Sequence, residues 1–353
     1  MAIQASGQIS ATQIANEFGY THSNNEMRLG SYRTTNGQGN FPVSFGALSF
    51  SSIDGGASVP TSGQIKFSDF YSTQLQQVVN FYGSGKGGFR LIAKSRYNTN
   101  NSGDVAVVGN YRTRPSNSSG TKVHIHVNQT IGSERFDPDH CALRTGSWDG
   151  STTLQVDVGG SGRIIGAGGE GGNGNSGAGT GEAGQPGSSG LGVQYSPTQV
   201  NIASGGIISA GFGGGGGGGG AFDYDRKSSR FGSGGGGGGG AGLPVGEGGT
   251  GGSTGVGGGN GSDATSISEA GEGGNGGNNA GEAVGGAGGE GGSPGEAADQ
   301  GGTGSGGEGS TAAGGVGGAT GSAIKRNSGF TVNISDPTNS LNGRGSTTAT
   351  GVQ

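Results

Sequence analysis

The 353 residues include 93 glycines, nine prolines and only 27% hydrophobic residues, which excludes conventional cores along the whole chain and leaves room for small ones early in it. The net charge of −5 is unevenly spread: residues 80–150 hold nine Lys/Arg against five Asp/Glu, while residues 232–321 hold nine Asp/Glu and no Lys or Arg, so these acidic residues either line exposed edges or face a cationic partner. A single cysteine, Cys141, excludes an internal disulfide; no run approaches 18 apolar residues, and residues 1–19 carry neither a basic n-region nor an apolar h-region, so the expectation is synthesis in a cytoplasm without a signal peptide.

Residues 1–72 contain a duplication, Ser6-Gly7-Gln8-Ile9-Ser10 recurring as Ser62-Gly63-Gln64-Ile65-Lys66. In the first copy Ser10 is placed to N-cap a short helix over 11–18, with Ile14 and Phe18 on one face and Gly19 as its stop. The second copy, ending Asp69-Phe70-Tyr71, predicts a similar turn. Two small amphipathic units with little core of their own read as a docking module, seated against another protein by Ile9, Ile14, Phe18, Ile65, Phe70 and Tyr71. The plain alternative is a minor globular domain.

Residues 73–158 read as β. Alternating runs at 76–82, 89–97, 104–112, 121–130 and 152–158 are separated by Gly, Asn, Ser and Pro turns, which predicts a small β-sandwich-like domain or jelly roll. In Val123-His124-Ile125-His126-Val127 the two histidines share one face of a strand. On a threefold axis such a pair would gather imidazoles round a metal ion; as a polar, solvent-facing edge it needs none, and no metal ligand is assigned.

A second repeat joins a strand to an apolar rung. Its copies are Leu154-Gln155-Val156-Asp157-Val158 with Ile164 and Ile165, Gln199-Val200-Asn201-Ile202 with Ile207 and Ile208, and Phe330-Thr331-Val332-Asn333-Ile334 with Leu341. The first two feed into glycine at Gly166 and Gly211 and the third follows the last glycine run, so the rungs are expected to bracket the glycine tract at its base.

Residues 159–321 hold 70 of the 93 glycines. Non-glycine residues recur there at every third position, as in Pro244, Glu247, Thr250, Ser253 and Val256, or Val284, Ala287, Glu290, Ser293 and Glu296. A polyproline II-type helix has three residues per turn, rises about 3.1 Å per residue and makes no internal hydrogen bonds, so a Gly-Gly-X run puts every X on one edge and bare backbone on the other two. Those backbone groups then need partners on neighbouring helices, and glycine alone permits the approach. Collagen fails because the frame slips and proline is scarce; disorder is what composition by itself suggests, but it gives no reason for the three-residue register. The expectation is a bundle of polyglycine II helices.

Between eight and seven consecutive glycines, Ala221 to Phe231 interrupts the tract with Phe222, Tyr224, Arg226, Lys227, Arg230 and Phe231. Placed there it is a turn between two glycine helices, and its aromatics and arginines are the residue types that anchor interfaces. The candidate binding residues are therefore Phe222, Tyr224, Arg226, Arg230 and Phe231, against the alternative that the aromatics fold back to cover the bundle end. Catalytic constellations do not assemble: triad elements are scattered, and the glycine runs lack the Lys-Ser/Thr ending of a phosphate-cradling loop, so the chain is read as no enzyme and as needing no cofactor.

Several of these stretches resemble a family of glycine-rich tail proteins of tailed bacteriophages. They are Ser6 to Ser10 with Ile14 and Glu17-Phe18-Gly19; Leu29-Gly30-Ser31-Tyr32-Arg33; Pro60 to Ile65 with Phe70-Tyr71; Leu143-Arg144-Thr145; Trp148 to Thr152; and Asn201-Ile202 through Ile208 into polyglycine. The glycine part also resembles the receptor-binding adhesin at the distal tail-fibre tip of T-even-like phages, whose inter-helix loops contact the host. The resemblance implies a virion tail component of fibre, tail tip or baseplate. Its partners would be other tail or baseplate proteins and a host cell-surface receptor, protein or glycan, with no nucleic acid and no membrane insertion. The other reading is a purely structural piece that cements neighbouring subunits. The fold expected is mainly β with irregular structure: docking modules at 1–72, the β domain at 73–158, the polyglycine II bundle with strand rungs at 159–321, and a C-terminal strand and tail at 322–353.

Overall fold

The computed structural model describes residues 4, 6–13, 63–71, 76–81, 89–92, 95–98, 107–109, 122–133, 140–146, 153–225, 228–306, 310–337 and 341–342. Residues 11–13 are helical, capped reciprocally: Gln13 N–H donates to Ser10 Oγ (3.1 Å) and Ser10 N–H to Gln13 Oε1 (2.7 Å). The second copy repeats half of this device at the 3₁₀ turn Phe67–Phe70, where Lys66 N–H donates to Asp69 Oδ2 (2.7 Å). Tyr71 Oη donates to the Gly7 carbonyl, so the duplicated segments meet. Ile9 and Phe70 are buried and Ile65 and Tyr71 half-buried, whereas Ile14 and Phe18 lie outside the described residues.

Eight strands precede the glycine tract: β1 (Gln76–Phe81), β2 (Phe89–Ile92), β3 (Ser95–Asn98), β4 (Val107–Gly109), β5 (Lys122–Val127), β6 (Thr130–Gly132), β7 (Cys141–Arg144) and β8 (Thr153–Val158). Then come β9 (Arg163–Ile165), β10 (Ser189–Val193), β11 (Thr198–Ile202) and β12 (Ile207–Ser209). Within the tract lie β13 (Ala221–Asp225), β14 (Ser228–Gly232), β15 (Asn278–Asn279), β16 (Ala283–Val284) and β17 (Ser305–Gly306). After it come β18 (Ile324–Arg326), β19 (Val332–Ser335) and β20 (Leu341–Asn342).

Most of these strands wind into a three-sided parallel coil. The first face runs β19-β11-β8-β5-β1-β4, the second β20-β12-β9-β6, and the third β18-β10-β7-β2-β3, with parallel pairing throughout except at β1–β4 and β2–β3. The chain passes from third face to first to second and round again, as in β7-β8-β9, β10-β11-β12 and β18-β19-β20. Register stacks like residues inside the coil: Ile125, Val156, Val200 and Ile334 on one face, Ile131, Ile164, Ile208 and Leu341 on the next, and Leu143, Leu191 and Ile324 on the last. All are buried except Ile334, which packs partly covered against the rest. Burying apolar columns on every face fixes the register, because a one-residue slip would turn every column outward.

The expected β-sandwich is thereby corrected. Alternation in the sequence identified strands, but most of them do not double back on their neighbours: successive strands such as β7, β8 and β9 turn onto the next face, and each meets its copy one winding later, in parallel. The run at 89–97 is a hairpin of β2 and β3, and β7 went unnoticed because Cys141-Ala142-Leu143-Arg144 shows no alternation. The coil also draws strands from both sides of residue 158. The three copies of the strand-and-rung repeat are successive windings of it.

The long glycine insertions all leave the coil at one corner, where the second face passes to the third. That corner holds residues 133–140 after β6, 166–188 after β9 and 210–323 after β12. The inserted segments are extended and bond to one another in a three-residue rotation. Gly214 and Gly217 donate to Gln185 and Glu182; Gly215 and Gly218 donate to Gly238 and Gly235; Gly216 and Gly219 donate to Asp299 and Gly302, all at 2.8–3.0 Å. Including bonds it accepts, segment 211–220 is enclosed by six others: 167–175, 182–188, 235–241, 286–292, 299–302 and 315–321. Segment 233–241 is enclosed in the same way. A Cβ at Gly216 or Gly237 would overlap a neighbour's carbonyl, so the two uninterrupted glycine runs occupy the two positions surrounded by backbone on every side. Outer segments keep one open edge, and there Glu247, Thr250 and Ser253 are exposed between buried Gly246, Gly249 and Gly252.

Candidate recognition face

Successive glycine segments run alternately away from the coil and back. Leu243, at a near turn, accepts from Ser133 N–H of the coil (3.0 Å), and 263–269 and 293–296 turn at the same end. The far turns are 176–179, the β13–β14 hairpin, 253–256 and 278–284, with 305–306 and Ser310 at the same end. Because the hairpin joins the two enclosed segments, it must rise from the middle of the far end, with the other turns around it. Hydrogen bonds sew them together: Val256 N–H to Phe231 O (3.2 Å), Ser233 Oγ to Thr254 O (2.7 Å), Ser253 N–H to Ser176 Oγ (3.1 Å), and Phe222 N–H to Ser310 O (3.3 Å).

The hairpin places Phe222 opposite Phe231, Asp223 opposite Arg230, and Tyr224 opposite Ser229. The Phe222 and Phe231 rings lie 4.9 Å apart at 38°, and Phe222 and Tyr224 lie 6.4 Å apart at 44°, a tilted aromatic row along one side. Within it Phe222 and Phe231 are half-buried, so they brace the hairpin, while Tyr224 is 59% exposed. Arg230 on the other side is paired with Glu282 of the 278–284 turn. Of the five residues singled out in the sequence, Phe222, Tyr224, Arg230 and Phe231 thus come together, and Arg226 lies outside the described residues.

Sequence reasoning missed the surround. Val256, 40% exposed, adjoins Phe231, and Asn279 Nδ2 donates to Phe231 O (3.4 Å). The signal available was a break in the Gly-Gly-X register at Asn278-Asn279-Ala280-Gly281. No group of three or more His, Cys, Asp or Glu among the described residues is placed to hold a metal, and the side chains of His124 and His126 lie outside the description. No helix among the described residues is long and apolar enough to cross a membrane.

Among the described residues the far end is therefore a small apolar centre ringed by hydroxyl and amide groups and the Arg230–Glu282 pair, on a backbone scaffold. One solved structure similar to this chain is the crystal structure of the gp37-gp38 adhesin tip complex of the bacteriophage S16 long tail fiber, at 20% identity and a TM-score of 0.30, covering 62% of this chain and 69% of that one. No curated protein matches. The sequence model described as phage tail fibre adhesin Gp38 matches residues 92–351. The chain belongs to the phage tail fibre adhesin Gp38 family, whose members are structural, non-enzymatic components of the virion tail.

Proposed function

We propose that this adhesin presents the far face of its glycine region to a host cell-surface receptor while residues 1–72 dock it on the tail. The observation that carries the reading is Tyr224, the largest exposed apolar group described on that face, standing on a hairpin at its centre. Loops do the contacting when a rigid scaffold fixes them, and aromatic and Arg side chains dominate interface energies. The scaffold is best read as a bundle of polyglycine II helices, a reading supported by the three-residue rotation of lateral hydrogen bonds and by the exposed residue at every third position. The docking reading rests on the joined duplicate turns, in which buried Ile9 and Phe70 hold the unit together and half-buried Ile65 and Tyr71 are left for contact.

Truncating an interface anchor typically costs about 2 kcal/mol, roughly a thirtyfold loss of binding. Phage carrying Tyr224→Ala or Arg226→Ala are expected to assemble and melt normally but adsorb poorly to host cells. Normal adsorption by both would move the protein to the purely structural class. Deleting residues 1–72 is expected to leave a folded fragment that no longer joins particles, and incorporation of that fragment at the normal level would refute docking through this segment.

A further inference from the structure

Resting on the reading that the hairpin meets the receptor, we infer that Glu282 is a positioning residue: it sets the orientation of the Tyr224 hairpin by holding Arg230 from a separate turn of the far face. The two residues are 52 apart in sequence and belong to different excursions of the glycine tract, so their pairing joins two parts of the face that no shared strand connects. The first strand of the hairpin is already fixed, by Phe222 N–H on Ser310 O and by the Ala221–Thr311 bridge. The second strand, which carries Arg230 and Phe231, is tied to 253–256 by Val256 N–H on Phe231 O and the Gly232–Val256 bridge, and its Arg230 side is held from 278–284. There the Arg230 guanidinium meets the Glu282 carboxylate, and Asn279 Nδ2 meets the Phe231 carbonyl.

The turn that carries both holding groups is built tightly. Glu282 N–H donates to Asn279 O (3.1 Å), Gly281 N–H donates to Asn278 Oδ1 (2.8 Å), and the two central residues, Ala280 (φ 55°) and Gly281 (φ 81°), are left-handed. Ala280 is the one non-glycine residue with positive φ among those described, an unfavoured conformation for a residue with a Cβ. This closure puts Asn279 and Glu282 at the two ends of one turn, both directed at β14. Arg230 lies opposite Asp223 in the hairpin register, and Tyr224 is the next residue along that strand. A hold on Arg230 is therefore passed within one residue to the exposed ring.

The test uses the full chain and the phage that carries it, with Arg230→Ala, Glu282→Ala, the double variant and Tyr224→Ala. Amide hydrogen exchange of residues 221–232 in the purified protein reads the hold without any receptor. For a part-exposed ion pair the expected effect of either single alanine is roughly two- to fivefold faster exchange, with the adsorption rate falling by a similar factor and the melting temperature unmoved. The double variant is expected to exchange and adsorb no worse than the singles, since each removes the same interaction. Unchanged exchange in Glu282→Ala overturns the inference, and so does additive loss in the double variant. Slower adsorption without faster exchange would make Glu282 a receptor contact and overturn it equally, as would faster exchange with normal adsorption while Tyr224→Ala adsorbs poorly. If Tyr224→Ala adsorbs normally, the recognition reading fails instead, and exchange still reports separately whether the hold exists.

Discussion

The coil and the glycine region bury backbone by opposite means. In the coil, columns of Ile, Val and Leu from all three faces fill the interior and the backbone pairs along flat faces outside them. In the glycine region the interior is the backbone itself, and enclosed segments such as 213–220 admit no side chain. The coil draws its stability from apolar area, which tolerates exchange of one aliphatic residue for another of similar volume. The glycine region draws it from lateral hydrogen bonds between chains that touch, and tolerates nothing at its enclosed positions while leaving its edges almost unconstrained. One molecule thus holds one region where sequence is free on the outside and conservative within, and another where every third residue alone is free.

Substitutions sharpen the contrast, and the largest effect belongs to enclosed glycine. In Gly237→Val the new side chain would overlap the Gly215 carbonyl, and in Gly249→Val and Gly289→Val those of Gly172 and Asp299. Backbones must part and neighbouring bonds must break, so losses above about 4 kcal/mol, or failure to fold, are expected in thermal and denaturant melts. Valine variants that melt within a degree or two of the parent would remove the basis for a backbone core. Next comes the coil: Ile164→Ala, in the second-face column, is expected to cost roughly 2–5 kcal/mol through lost burial and a cavity, while Ile164→Val costs about 1. An equal penalty for both would mean that the column is not packed as described. Smallest is Glu290→Ala, one residue from Gly289 yet exposed on an edge, for which a change within about 0.5 kcal/mol is expected. A large loss there would show that the edges carry structure as well as the interior.

Much of this was legible in the sequence, for reasons that differ by element. The three-residue spacing of Glu247, Thr250 and Ser253 announced a threefold-periodic backbone because nothing else in the tract has side chains to set a pattern. The repeated strands ending in Val158, Ile202 and Ile334 announced repeating units. Their parallel winding was hidden, since alternation describes the two faces of a strand and says nothing about which strand it meets. On the far face, Phe222 and Phe231 stood out by composition, and their cross-strand stacking follows from a hairpin of that length. Glu282 did not stand out. A carboxylate in an acidic glycine tract reads as solvated, and its partner comes from a turn that only the packing of segments brings alongside.

The enclosure of segment 211–220 also dictates an order of assembly. Of the six segments around it, two lie earlier in the chain, at 167–175 and 182–188, and four lie later, the last ending at residue 321. A growing chain that has just made the central glycines has nothing to put on their remaining sides, so those amides stay hydrated until roughly a hundred further residues have been made. The middle of the glycine region is therefore written early and sealed last, by 315–321, and β18 follows at once to bring the chain back to the coil.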